Sequence, residues 1–76
     1  MKTVVKYSVI IEKTGGNYSA YCPDLPGCIA TGKSIKETLT KIKESIQFHI
    51  EGMKEEGFPI PLPSSRVEYI EIPVSN

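Results

Sequence analysis

At Ser34 the spacing of apolar residues changes, and that change constrains the fold more than anything else in the chain. Upstream, Val5, Tyr7, Val9 and Ile11 alternate with Lys6, Ser8 and Glu12. A period of two with β-branched and aromatic residues describes a half-buried strand. Downstream, Ile35, Leu39, Ile42, Ile46, Ile50 and Met53 recur at steps of three and four, the stripe of one helical face. A chain that switches once from the first pattern to the second must lay one amphipathic helix on one face of a sheet.

Local signals mark the element ends. Residues 3–13 form the first expected strand. Thr14-Gly15-Gly16-Asn17 supplies hairpin-turn chemistry, and Tyr18, Ala20 and Cys22 alternate in a second strand stopped by Pro23. Pro23-Asp24-Leu25-Pro26-Gly27 must be a rigid turn, with a short third strand from Cys28 to Thr31 ending at Gly32. Ser34 and Glu37 stand at the spacing of a capping box, and Gly57 followed by Pro59 closes the helix, predicted over 34–56. The connector 58–65 holds three alternating prolines, and Val67–Ile72 reads as a fourth strand. Its alternation is poor, because Val67 and Tyr69 compete with Ile70 and Ile72 for the core. The expected class is α+β in the order βββαβ, a single domain over residues 1–76. An antiparallel three-stranded meander is joined by a fourth strand parallel to the first through a right-handed crossover. The long helix packs on one face.

Composition removes several classes of function. Among 76 residues, nine Lys+Arg balance nine Asp+Glu, so no excess of either sign recommends a nucleic acid or membrane surface as partner. No stretch approaches the ~20 apolar residues of a membrane span, and no signal-peptide pattern opens the chain, so the cytoplasm is the expected compartment. Cys22 and Cys28 are too few for a disulfide scaffold and are expected to stay reduced. A domain this small buries only about 60% of the surface its unfolded chain exposes. A homo-oligomer, dimer or tetramer, is therefore expected.

Catalytic constellations are scarce. Cys22, Cys28 and His49 offer three ligands at unrelated spacings, short of the four of a structural zinc site. His49 adjoins the helix stripe, where a packing role outweighs that of a general base for either thiol. Gly15-Gly16 lies between two strands, not between a strand and a helix, so it is no phosphate loop. No catalytic residue, metal or cofactor is expected, and the chain reads as a non-enzyme.

Three features are left over by the core. Pro23–Gly27 is stiffer than a simple connection requires. Tyr21 lies on the outward face of its strand if Ala20 and Cys22 face inward. Phe48 points away from the Ile42/Ile46 stripe among charged neighbours, as an exposed aromatic does at a contact surface.

The run Tyr18-Ser-Ala-Tyr-Cys-Pro-Asp-Leu-Pro-Gly-Cys-Ile-Ala-Thr-Gly32, the capped helix from Ser34, and Glu56-Gly-Phe-Pro-Ile-Pro61 together resemble the HicB family of antitoxins. The similarity spans residues 5 to about 72. It implies a partial ribonuclease-H-like fold and a role in type II toxin–antitoxin pairs. There the antitoxin binds and masks a small RNA-cleaving HicA-type toxin, whose own fold resembles a double-stranded-RNA-binding domain. Many family members append a helix-turn-helix or ribbon-helix-helix module. Here the chain ends at Asn76, so no DNA binding is expected from this chain alone. Nor is ribonuclease activity, since the first strand carries Tyr7, Ser8, Val9 and Ile10 where metal-holding acids would be needed. The expected toxin-binding residues are Tyr21, Pro23, Asp24, Leu25, Pro26 and Gly27, with Phe48 assigned to self-association. The alternative is an orphan homo-oligomeric structural or regulatory domain with no toxin partner.

Overall fold

A computed structural model describes residues 4–75. Strands β1 (Ile10–Thr14), β2 (Asn17–Tyr21) and β3 (Ile29–Gly32) precede one helix, α1 (Ile35–Glu56). The sheet is an antiparallel meander in the order β1-β2-β3. Gly15 turns the first hairpin at φ 58° between the paired ends Thr14 and Asn17. Positive φ at the first central residue alone is the type II′ arrangement, whose twist matches the flanking strands.

The β2–β3 connection is a double turn. Leu25 N–H donates to Cys22 O (3.2 Å), Cys28 N–H donates to Leu25 O (3.1 Å), and Cys22 N–H closes the loop on Cys28 O (3.3 Å). Pro23 presets the first turn and Pro26 the second, where Gly27 supplies the required φ of 92°. The loop's apex therefore points inward: Leu25 is fully buried, at 0% exposure. With Cys22, Cys28, Ala20 and Ile42 it forms the core, against which Tyr7, Val9, Ile11, Ala30, Ile46 and Ile50 pack.

Helix α1 begins and ends as its sequence dictates. Glu37 N–H donates to the Ser34 hydroxyl at 3.1 Å, while the Glu37 carboxylate reaches back to Lys33 N–H at 3.3 Å, one residue before the cap itself. At the other end Gly57 adopts φ 75°, Gly57 N–H donates to Lys54 O, and Phe58 N–H donates to Met53 O. This pair of bonds is a Schellman motif. The buried line down the helix is not centred on the apolar stripe. Thr38 and Ile42 are buried, and Ser45, His49 and Gly52 continue the line half-buried, whereas Ile35 and Leu39 are half exposed, Leu39 at 45%. Small residues lie at the centre because helix and sheet approach closely. A Cβ on Gly32 would stand 2.7 Å from Thr38 Oγ1 and 2.9 Å from Thr38 N. The flank of the stripe toward β1 stays open, so Val5, Tyr7, Val9, Leu39, Ile46 and Ile50 line an apolar groove of about 590 Å³.

Two strand expectations need correction. The paired part of the first strand starts at Ile10, because β2 ends opposite it at Tyr21, and residues 4–9 run on without a ladder partner. Thr3, where that strand was expected to begin, lies outside the described residues. The fourth strand over Val67–Ile72 is absent from this chain's sheet, which has three strands among the described residues. The connector is tied down before it can return. The Asp24 carboxylate accepts from the backbone N–H and hydroxyl of both Ser64 and Ser65, at 2.9–3.2 Å. Tyr7 OH also donates to Pro61 O. Beyond this clamp every described residue is exposed. The radius of gyration, 15.0 Å, exceeds the ~11 Å of a compact chain this long, and the longest dimension is 54 Å against 26 and 23 Å.

Three measurements check this packing. Ile42→Ala should cost roughly 2–5 kcal/mol in denaturant unfolding, while exposed Phe48→Ala shifts stability by less than about 0.5 kcal/mol; equal effects would mean that the packed face is misassigned. Gly32→Ala should cost about 1–3 kcal/mol through its collision with the Thr38 backbone, and an unchanged midpoint would refute the close approach. Burial alone would raise the Asp24 pKa, but the bonds from Ser65 and Ser64 outweigh it and hold the carboxyl below its ordinary value. A depressed folded-state pKa contributes stability that is present above the unfolded carboxylate pKa and lost as pH falls through the lowered value. The Ser64 and Ser65 amide resonances should therefore titrate together at a pH below the ordinary carboxylate range. They should lose protection at neutral pH in Asp24→Ala.

Candidate functional site

The register of the sheet decides what the outward face carries. Ile11, Ala20 and Ala30 lie opposite one another in the row that faces α1. The next row, Ile10–Tyr21–Ile29, is one residue along each strand and so faces away. Tyr21 and Ile29 are both exposed and Ile10 is half-buried. An apolar row thus crosses all three strands on the side without a helix, beside the double turn. Tyr21 is legible in the sequence as an outward residue. Its flanking isoleucines escape that reading, although the inward small residues Cys28 and Ala30 imply an outward Ile29.

The remaining expected site residues divide. Pro23, Pro26 and Gly27 are exposed on the turn next to Tyr21. Leu25 is not on that surface: its side chain is the plug of the core, because the double turn folds its apex inward. Asp24 is half-buried, and its carboxylate oxygens are engaged by Ser64 and Ser65. The acid expected to meet a basic partner instead holds the chain's own C-terminal segment. Nothing in the local sequence near Asp24 announces this, since its partners lie 40 and 41 residues away. Phe48 lies apart from these groups, 80% exposed on the outer side of α1. With Phe58 and Met53 it lines a shallow depression rimmed by Glu55 and Glu56.

The titratable groups offer little chemistry. Cys22 and Cys28 are free thiols inside the core. Burial pushes the Cys28 thiol up, with a contribution from Cys22, against a smaller lowering by a hydrogen bond to Ser45. A raised thiol pKa opposes the thiolate that nucleophilic chemistry needs. Tyr7 is raised as well, first by burial and then by Cys22 and Asp24 nearby. Glu37 is lowered by its hydrogen bond to Lys41 and by the Lys33 amide, as expected of a capping carboxylate. No group of three or more His, Cys, Asp or Glu side chains placed to hold a metal occurs among the described residues. No helix among them is long and apolar enough to cross a membrane. What the described residues offer instead is an exposed apolar row beside a hydrogen-bonded turn.

Comparison with known proteins identifies the family. A protein from Thermoplasma acidophilum described as a UPF0150 protein is 47% identical over 58 residues, 75% of this chain and 84% of that one. A UPF0150 protein from Synechocystis is 38% identical over 61 residues, covering 79% of this chain and 77% of its own. An uncharacterized 14.9 kDa protein of Haemophilus phage HP1 is 39% identical over 67 residues. That alignment takes in 88% of this chain but only 50% of the phage protein, so this chain spans about half its length. Among solved structures, a chain of a complex described as the HicA3 and HicB3 toxin-antitoxin complex superposes with a TM-score of 0.66 at 33% identity. The superposition covers 78% of this chain and 70% of that one. The family described as HicB-like antitoxin of bacterial toxin-antitoxin systems matches residues 7–74, nearly the whole chain, and the chain belongs to that family.

Proposed function

We propose that this chain is an antitoxin that binds a small HicA-type, RNA-cleaving toxin and covers the surface through which that toxin engages RNA. The observation that carries the reading is the outward row Ile10–Tyr21–Ile29 beside the double turn. It is an exposed apolar strip on a molecule whose solved relative comes from a toxin–antitoxin complex. Inhibition in this reading is steric and non-catalytic: a preformed surface occupies the toxin's site and alters nothing covalently. Pro23 and Pro26, with the three backbone hydrogen bonds of the turn, fix that surface in advance. Little conformational entropy is then lost on binding. Tyr21 supplies the large amphipathic contact that tends to dominate interface energies. Asp24 contributes indirectly, by fixing the C-terminal segment against the turn.

The test begins with the neighbouring reading frame, which in this reading encodes a small HicA-type toxin; its absence there would favour the orphan reading. Stoichiometric antitoxin should stop RNA cleavage by the purified toxin. Tyr21→Ala combined with Ile29→Ala should raise the Kd at least tenfold, ~1.4 kcal/mol, with an unchanged circular-dichroism spectrum. Continued cleavage in a saturated complex would refute steric masking. Unaltered affinity in the double variant, with binding abolished by Phe48→Ala, would move the toxin to the outer side of α1.

A further inference from the structure

The groove between residues 4–9 and α1 and the exposed C-terminal segment are two apolar surfaces that the chain leaves uncovered. Residues 4–9 lead into β1 and have no ladder partner among the described residues. Val5, Tyr7 and Val9 line the groove from this segment, and Leu39, Ile46 and Ile50 overhang it from the helix. Ser8 Oγ lies buried on the same segment with no hydrogen-bond partner among the described residues. Apolar backbone without proline that continues an edge strand readily accepts another strand.

The chain carries a segment of suitable character that pairs with nothing among the described residues. Ile70 and Ile72 are 79% and 69% exposed, and Tyr69 and Val74 are exposed as well. Arg66 and Glu68 form an ion pair two residues apart, so their side chains share one side, as in a pleated strand. Apolar residues occur on both faces, Val67 and Tyr69 on one and Ile70, Ile72 and Val74 on the other. That pattern suits a strand covered on both sides, which a single helix on a single sheet cannot provide. The Asp24 clamp holds Ser65 at the β2–β3 turn, and residues 66–75 beyond it are exposed throughout. Lys43 lines the groove and Glu71 lies on the exposed segment, charges of opposite sign.

We propose that residues 66–74 of one copy lie in the groove between residues 4–9 and α1 of a second copy as a parallel fourth strand, reciprocally exchanged across a two-fold axis. Each copy then completes the sheet of the other in the βββαβ order, and the exchange covers the edge, the groove and the segment together. It leaves the Tyr21 row free and is independent of whether a toxin binds there.

The full chain should have a mass of twice 8.4 kDa by light scattering at micromolar concentration. In a refolded mixture of isotope-labelled and unlabelled chains, filtered NOEs should connect Ile70 and Ile72 methyls of one copy to Val5 and Val9 of the other. Ile70→Asp with Ile72→Asp, both exposed within one chain, should give a folded monomer with an unchanged helical spectrum. A wild-type monomer would overturn the proposal, as would the same NOEs arising only within one chain. So would a dimer that survives the double Asp variant but dissociates in Phe48→Ala, or tail protection that appears only when toxin is added.

Discussion

Helix α1 presents a wider apolar stripe than three short strands can cover, and the remaining features depend on how that excess is distributed. Close approach is possible only along the line Thr38–Ile42–Ser45, where Gly32 leaves room for the Thr38 backbone. The small side chains therefore take the centre of the contact. Leu39, Ile46 and Ile50 are displaced to the β1 flank, where they roof the open groove. The arrangement gives up depth of burial and leaves an open apolar groove between the helix and residues 4–9.

A second constraint lies in the β2–β3 turn. The sheet is closed at this end by a loop whose apex, Leu25, is the most deeply buried large side chain. The inward leucine fixes the loop to the core. The two prolines fix its backbone, and the Asp24 carboxylate fixes the C-terminal segment to the loop. The turn is held in place by packing and hydrogen bonds within the chain. The surface next to it, Ile10–Tyr21–Ile29, is apolar because no helix covers that face of the sheet.

Much of this is legible in the sequence. The single change of period at Ser34 predicts the sheet and the helix, and the capping box and Gly57 locate the helix ends correctly. The alternation around Tyr21 places it outward. Where the reading fails, the deciding contacts are remote. Periodicity alone centres the packed face on the apolar stripe, but the Gly32–Thr38 approach, which depends on sheet geometry, rotates the packed line away from Ile35 and Leu39. Leu25 reads as surface because it stands between Asp24 and Pro26 in a proline-bounded loop, and only the double turn shows that such a loop can point its apex inward. Asp24 reads as free because its serine partners lie beyond the helix. The uneven alternation of Val67–Ile72 goes with a segment that is exposed and unpaired among the described residues. A strand apolar on both faces has no place on a sheet with one helix.

Hydrogen–deuterium exchange of the full chain, alone and with a HicA-type toxin, tests the account most directly, because it reads the two surfaces separately in one measurement. The account predicts that amides in 66–74 are already protected in the free protein at micromolar concentration. Those around Tyr21 and the Pro23–Gly27 turn should gain protection only when toxin is added. Free exchange of 66–74 without toxin, or a toxin complex that leaves the Tyr21 region unprotected while shielding the Phe48 side of α1, would contradict it.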